Sequence, residues 1–189
     1  MWSRFTIDRA LRVDLPRLDE PWLRRQFNLK RALLEVELPV EGGGRLVLLD
    51  THLSAFSYQD GTLPRQVDHI LGRIDDIEAD GAHWILGGDF NSLPPDDTPQ
   101  RLGIGADLYE EPSPIAPLFE RFPSAVPASE HAANPGPWRT YLPWGSNTAD
   151  RAIDHLFHDP RLEAHGTSVL RDVTDVSDHL PLVFDFQVP

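Results

Sequence analysis

Asp89 and Asn91 are the residues of this chain best placed to do chemistry. They follow an apolar run, Trp84-Ile85-Leu86, that ends in Gly87 and Gly88, and they flank Phe90. In an extended chain successive side chains alternate faces, so Asp89 and Asn91 point the same way while Phe90 turns back to the core. A carboxylate at the mouth of a strand can take a proton from water or hold a divalent metal. A neutral amide beside it can orient that water, or donate to an oxyanion, without adding repulsive charge. The paired glycines let a substrate or a neighbouring backbone come close.

Three further segments carry candidate groups. His52 lies in Thr51-His52-Leu53-Ser54, after the apolar run Leu46-Val47-Leu48-Leu49-Asp50. Asp50 shares its strand face, so His52 can serve a substrate or simply pair with that carboxylate. Asp154 sits in a strand-like run with apolar residues on both sides, Arg151-Ala152-Ile153-Asp154-His155-Leu156-Phe157. A carboxylate buried there is costly unless paired, and Arg151 and a backbone amide are its local partners. Asp178 and His179 are adjacent, so a regular strand would send them to opposite faces. Both reach one cleft only from a turn, and Pro181 fits an irregular lead into the last strand. Tyr141, with Trp138 and Trp144, can line a substrate groove or pack under a long loop. His155 and His158 do not form a metal pair, because a strand puts positions i and i+3 on opposite faces.

The elements that must position these groups follow from periodicity. Residues 1–13 are expected to form a strand and 14–26, with Pro16 and Pro21, a connection. Strands over 31–39 and 45–53, around the turn Glu41-Gly42-Gly43-Gly44, make a hairpin. Apolar residues at Leu63, Val67, Ile70, Leu71, Ile74 and Ile77 have helical spacing, Pro64 suits a first turn and Gly81 a stop. The strand ending at Asp89 comes next, giving a strand–helix–strand unit of α/β type. Residues 92–149 are rich in Pro, Gly, Ser and Asp and read as long surface loops, with one short helix near 115–121 and a short strand over 138–141. Strands over 151–157, 163–170 and 180–187 close a single domain spanning 1–189.

Taken together and in this order, the segments Thr51-His52-Leu53, Gly87-Gly88-Asp89-Phe90-Asn91, Ile153-Asp154-His155 and Ser177-Asp178-His179-Leu180-Pro181 resemble the endonuclease/exonuclease/phosphatase superfamily. That group includes deoxyribonuclease-I-like nucleases, apurinic endonucleases, neutral sphingomyelinases and inositol-polyphosphate 5-phosphatases. The resemblance implies an α/β fold, a four-layer α/β/β/α sandwich, and metal-dependent hydrolysis of a phosphodiester. It makes Asp89 the water-activating carboxylate and Asn91 its amide partner. It makes Asp154 the brace of His179, which stabilises the phosphoryl group, and it sets His52 against the phosphate or leaving group. Asp178 and Asp89 would hold Mg²⁺ or Mn²⁺, and Asn91, His52 and Tyr141 would touch the substrate. The implied substrates are nucleic acid, a phospholipid head group or an inositol phosphate.

The family's opening strand with its Asn, and the Gln-Glu that follows it, have no counterpart in this sequence. Trp2-Ser3-Arg4-Phe5-Thr6-Ile7 resembles a mid-domain segment instead. The expectation is therefore a sandwich missing its N-terminal strands, with poor metal affinity and uncovered apolar strands that favour a homodimer. The alternative function is that of a catalytically degenerate homologue serving as a binding or assembly module.

Composition sets the outer bounds. The 189 residues are enough for a real core, and 40% hydrophobic with 25% charged residues is ordinary for a soluble globular protein. The sequence has no run of about 18 apolar residues and no secretory leader pattern, which points to a cytoplasmic protein without a transmembrane segment. Without cysteine, thiol nucleophiles and thiolate metal sites are excluded. A net charge of −13 repels a phosphate backbone and counts against tight binding of long DNA. Lys30 is the chain's only lysine, and that arginine bias reflects a GC-rich genome rather than a phosphate-binding design.

Overall fold

The computed structural model describes residues 3–17, 29–42, 44–55, 59–102, 105–173 and 176–189. The elements are β1 (Arg9–Asp14), β2 (Ala32–Pro39), β3 (Arg45–His52), α1 (Thr62–Ala79), β4 (His83–Asp89), α2 (Ala116–Arg121), α3 (Ala128–Ala133), β5 (Asp154–His158), β6 (Glu163–Val169) and β7 (Leu182–Gln187). Strands β1 to β5 form one sheet in chain order. β1, β2 and β3 pair antiparallel, α1 carries the chain over to a parallel β4, and β5 returns antiparallel. β6 and β7 form a second, antiparallel pair.

Strand alternation sorts the core into two layers of contact. Val47, Leu49, Trp84, Leu86 and Phe157 face α1, where Leu63, Val67, Ile70, Ile74 and Ile77 supply the predicted stripe. Leu46, Leu48, Ile85 and Leu156 face the other way, onto Phe184 and Phe186 of β7. The described residues thus supply α, β and β layers in that order. Of the strand residues expected to lack cover, Leu33, Val36, Leu46 and Ile85 are buried within the single chain, while Leu48 and Val183 are partly exposed. No helix among the described residues is long and apolar enough to cross a membrane.

The hairpin and α1 stand where periodicity put them. Strand 1 begins at Arg9, while residues 1–2, 18–26 of the expected connection and Gly43 of the turn lie outside the described residues. The expected strand over 138–141 is corrected. Gly136–Trp138 is a 3₁₀ turn and only Tyr141 bridges, to Arg151 and to His179. Pro135, Pro137 and Pro143 have no N–H to give to a ladder, so a longer strand cannot form. α3 lies in the stretch read as loop, its Ala-rich turn too short to show a periodic signal between Pro127 and Pro135.

Two histidines are buried behind the β4 and β5 ends. His155 Nε2–H donates to the Ser92 carbonyl, 3.0 Å away, and its ring lies 6.0 Å from that of His131. Burial holds both in the neutral form, lowering His155 below its ordinary value and His131 to about 3. The unfolded chain takes up protons on these rings near pH 6.5 and the folded chain excludes them. Stability is therefore full above that pH and falls as pH drops toward the folded values, at about 1.4 kcal/mol per pH unit for each ring. Urea unfolding between pH 7.5 and 5 is expected to show this slope, reduced in His131→Leu. An equal slope in that variant would show that His131 is protonated in the folded chain.

Candidate active site

Register brings three of the predicted residues into one row. His52 is the partner of Asp89 across the parallel β3–β4 pair, and Asp89 is the partner of Asp154 across the antiparallel β4–β5 pair. Paired residues on neighbouring strands project to the same face. By parity with Leu48, Ile85 and Leu156, that face is the one turned toward β6 and β7. The row ends the sheet: β3 and β4 finish at His52 and Asp89, and β5 begins at Asp154. Beyond it, Leu53 N–H donates to the Asp89 carbonyl at 2.9 Å and Phe90 N–H to the Ile153 carbonyl at 2.8 Å.

Gly88 allows the close seam between β3 and β4. Its φ is +145°, and a Cβ there would lie 1.9 Å from the Thr51 carbonyl oxygen. α1 fixes the chain after His52 from behind. Gln66 is fully buried, accepts the Ser54 N–H at 3.0 Å, and donates to the Ser54 hydroxyl and the Pro16 carbonyl.

Asn91 sits beside Asp89, as alternation required, but by a different route. The strand has already ended, and Asn91 is in the left-handed region at φ +48°. Asparagine tolerates that conformation better than most residues. Its N–H donates to Asp89 Oδ1 at 2.8 Å, and its side-chain amide donates to the Leu53 carbonyl at 3.1 Å and reaches Asp89 Oδ2 at 3.4 Å. Phe90 is fully buried, as expected.

His179 completes the group from the segment before β7. Its Nδ1 is 2.8 Å from Asp154 Oδ2, and its Nε2 points to Asp89 Oδ2 at 3.9 Å. His52 Nε2 stands 3.3 Å from the same Asp89 oxygen. His52 therefore turns to Asp89 and not to its strand neighbour Asp50. Asp154 is paired by His179 and by the Thr140 hydroxyl at 2.6 Å, while Arg151 is engaged by Asp150. The bond to Asp154 raises the His179 pKa, since the carboxylate favours the imidazolium. Burial raises the pKa of Asp89, against the opposing Asn91 N–H bond. Burial lowers that of His52, opposed by Asp89 and assisted by the positive field of Arg31.

His52, Asp89, Asn91, Tyr141 and His179 line one cleft of about 230 Å³, and Asp154 lies behind His179. Tyr141 packs edge-to-face on His179, ring centroids 5.3 Å apart. Asp178 is the outlier. It is exposed, and its side-chain contact is with the Ser177 hydroxyl at 3.5 Å. Three residues of the site escaped the sequence reading: Thr140, Arg151 in its pairing with Tyr109, and Arg31. Each becomes visible only when distant segments meet.

Among the described residues no three His, Asp or Glu side chains gather closely enough to hold a metal ion. Asp89 already serves Asn91 and His52, and Asp178 faces solvent. A hard divalent cation wants several oxygen donors. The donor set described here does not fit Mg²⁺ or Mn²⁺.

A helix layer, a mixed sheet and a second sheet, with a carboxylate–histidine row at the seam, define a deoxyribonuclease-I-like α/β fold. The sequence profile of the Endonuclease/Exonuclease/phosphatase family matches residues 1–179, and the chain belongs to that family. Solved structures share the fold. The human Nocturnin catalytic domain with bound sulfate has a TM-score of 0.64 at 18% identity, over 97% of this chain and 60% of that one. A family member from Beutenbergia cavernae has 0.62 at 24%, over 98% and 46%. TDP2 of D. rerio, complexed with a single-strand DNA product, has 0.61 at 16%, over 96% and 68%. The chain thus spans roughly half to two thirds of the length of these structures. No curated protein matches the sequence.

Proposed function

We propose that the chain is a phosphoester hydrolase acting on a phosphodiester. The observation that carries this reading is the shared Asp89 carboxylate, flanked by His52 and by the Asp154–His179 pair at an open cleft. Asp89 takes the proton of the attacking water, and a raised pKa makes it a better base than an ordinary aspartate. Asn91, held by Leu53, orients that water. His179, whose protonated form the Asp154 carboxylate favours, offers Nε2–H to the charge that develops on the phosphoryl oxygens. His52 contacts the phosphate or the departing oxygen. Family membership supports the reaction class, and the sulfate on Nocturnin and the DNA product on TDP2 support an oxyanion site in this fold.

Hydrolases of this family are typically dependent on a divalent metal. Because the described donors fall short of a Mg²⁺ or Mn²⁺ site, no step above is routed through the ion. Turnover of bis(p-nitrophenyl) phosphate is expected, measured with and without added Mg²⁺ or Mn²⁺. A folded chain that hydrolyses no phosphodiester under any of these conditions would overturn the enzyme reading in favour of a degenerate binding module.

A further inference from the structure

Arg151 looks at first like a phosphate clamp, since it borders the cleft and is an arginine. Its bonds say otherwise. Nε and Nη2 donate to the two oxygens of Asp150 at 2.6 and 2.8 Å, and Nη1 donates to the Tyr109 hydroxyl at 3.2 Å. The guanidinium carbon lies 5.5 Å from the Tyr109 ring centroid and 5.1 Å from that of Tyr141. The residue is 7% exposed. Its charge is matched by Asp150 and every nitrogen is engaged, so it acts as a pin between two aromatic rings.

The wall of the cleft is made of two unlike sets of residues. One set is polar, His52, Asp89, Asn91 and His179, with the field of Arg31 reaching Asp89 and His52. The other is apolar and aromatic, Leu108, Tyr109, Ile153 and Tyr141, the last lying against His179. Leu108 is 40% exposed, an apolar side chain left open to solvent, while Ile153 is buried. That second set carries no free cation among the described residues. A ligand with several phosphates would meet Asp89, Asp154 and Asp150 in a chain of net charge −13. A ligand with one phosphate and an uncharged flat group meets a complementary set of residues for each part.

We propose that the Leu108–Tyr109–Tyr141 wall, pinned by Arg151, is a subsite for an uncharged planar organic group esterified to a single phosphate. This rests on the hydrolase reading of the same cleft, and it selects against inositol polyphosphates and long polyanions. Seating a ring on this wall is worth about tenfold in affinity over a methyl group.

Binding and turnover test the two readings separately. Calorimetric titration of the full chain with phenylphosphonate, methylphosphonate and inositol hexakisphosphate is expected to rank phenylphosphonate first, about tenfold ahead of methylphosphonate. Leu108→Lys, at an exposed position where the fold tolerates it, should shrink that ratio severalfold, as should Tyr109→Ala. Equal affinity for the two phosphonates, tightest binding of the polyphosphate, no binding at all, or an unchanged ratio in Leu108→Lys overturns the subsite. Phenyl selectivity in a chain that hydrolyses nothing supports the subsite and overturns the hydrolase. Hydrolysis of bis(p-nitrophenyl) phosphate without phenyl selectivity does the reverse.

Discussion

Asp89→Asn and His179→Ala are each expected to lower kcat/KM on bis(p-nitrophenyl) phosphate by about three orders of magnitude. The asparagine keeps an oxygen for the Asn91 N–H, which bonds Asp89 Oδ1 at 2.8 Å, so the loop after β4 stays in place. What is lost is the charge that takes a proton from water. The alanine removes the imidazole that Asp154 holds at 2.8 Å and leaves the strands untouched, since His179 lies before β7. Both variants should therefore fold, and circular dichroism and thermal melting can establish that before any rate is measured. Groups that act on one transition state are strongly non-additive, so the double variant should be little worse than the worse single one. Activity within tenfold of the parent in both single variants would remove them from the mechanism. Independent, multiplying losses would show that the two groups serve different steps.

The site was legible where one strand carries a strong local pattern. The apolar run into Gly87, Gly88 and Asp89 marks a buried strand with something exposed at its end, and the pairing register then places His52 and Asp154 beside it. The stripe from Leu63 to Ile77 identified α1 for the same reason, a long element with one buried face. The pairing of Asp154 with His179 could not come from spacing, because they are 25 positions apart with all of β6 between them. It entered only through resemblance. Residues 92–149 were the least legible. Prolines there break every period, and their order comes from scattered tertiary bonds, such as those of Thr140 to Asp154 and Arg151 to Tyr109. Those bonds build the Tyr109–Tyr141 part of the cleft, which periodicity does not reach. Asn91 shows a milder case. Alternation foresaw its position beside Asp89, whereas a left-handed turn produces it.

Gly88→Ala is expected to cost about 3 kcal/mol or more in stability and to abolish activity in whatever remains folded. Two effects add. A φ of +145° is one that side-chain-bearing residues rarely adopt, and the new Cβ would stand 1.9 Å from the Thr51 carbonyl oxygen, 2.9 Å from its carbon and 3.0 Å from its nitrogen. All three obstacles are backbone, so nothing can rotate away. Relief requires β3 and β4 to part at the end that holds His52 against Asp89, now 3.3 Å apart. Gly87→Ala provides the control. There the new Cβ meets Leu156 Cδ2 at 2.5 Å, the far end of a flexible side chain, and φ is unexceptional. That variant should repack at a cost of about 1–2 kcal/mol and keep most of its activity. Denaturant unfolding of both, with rates measured at a temperature where each is folded, tests the argument. If Gly87→Ala proves the more damaging, the seam between β3 and β4 is looser than its register implies, and the close approach of His52 to Asp89 is set by Leu156 and the second sheet rather than by the glycine.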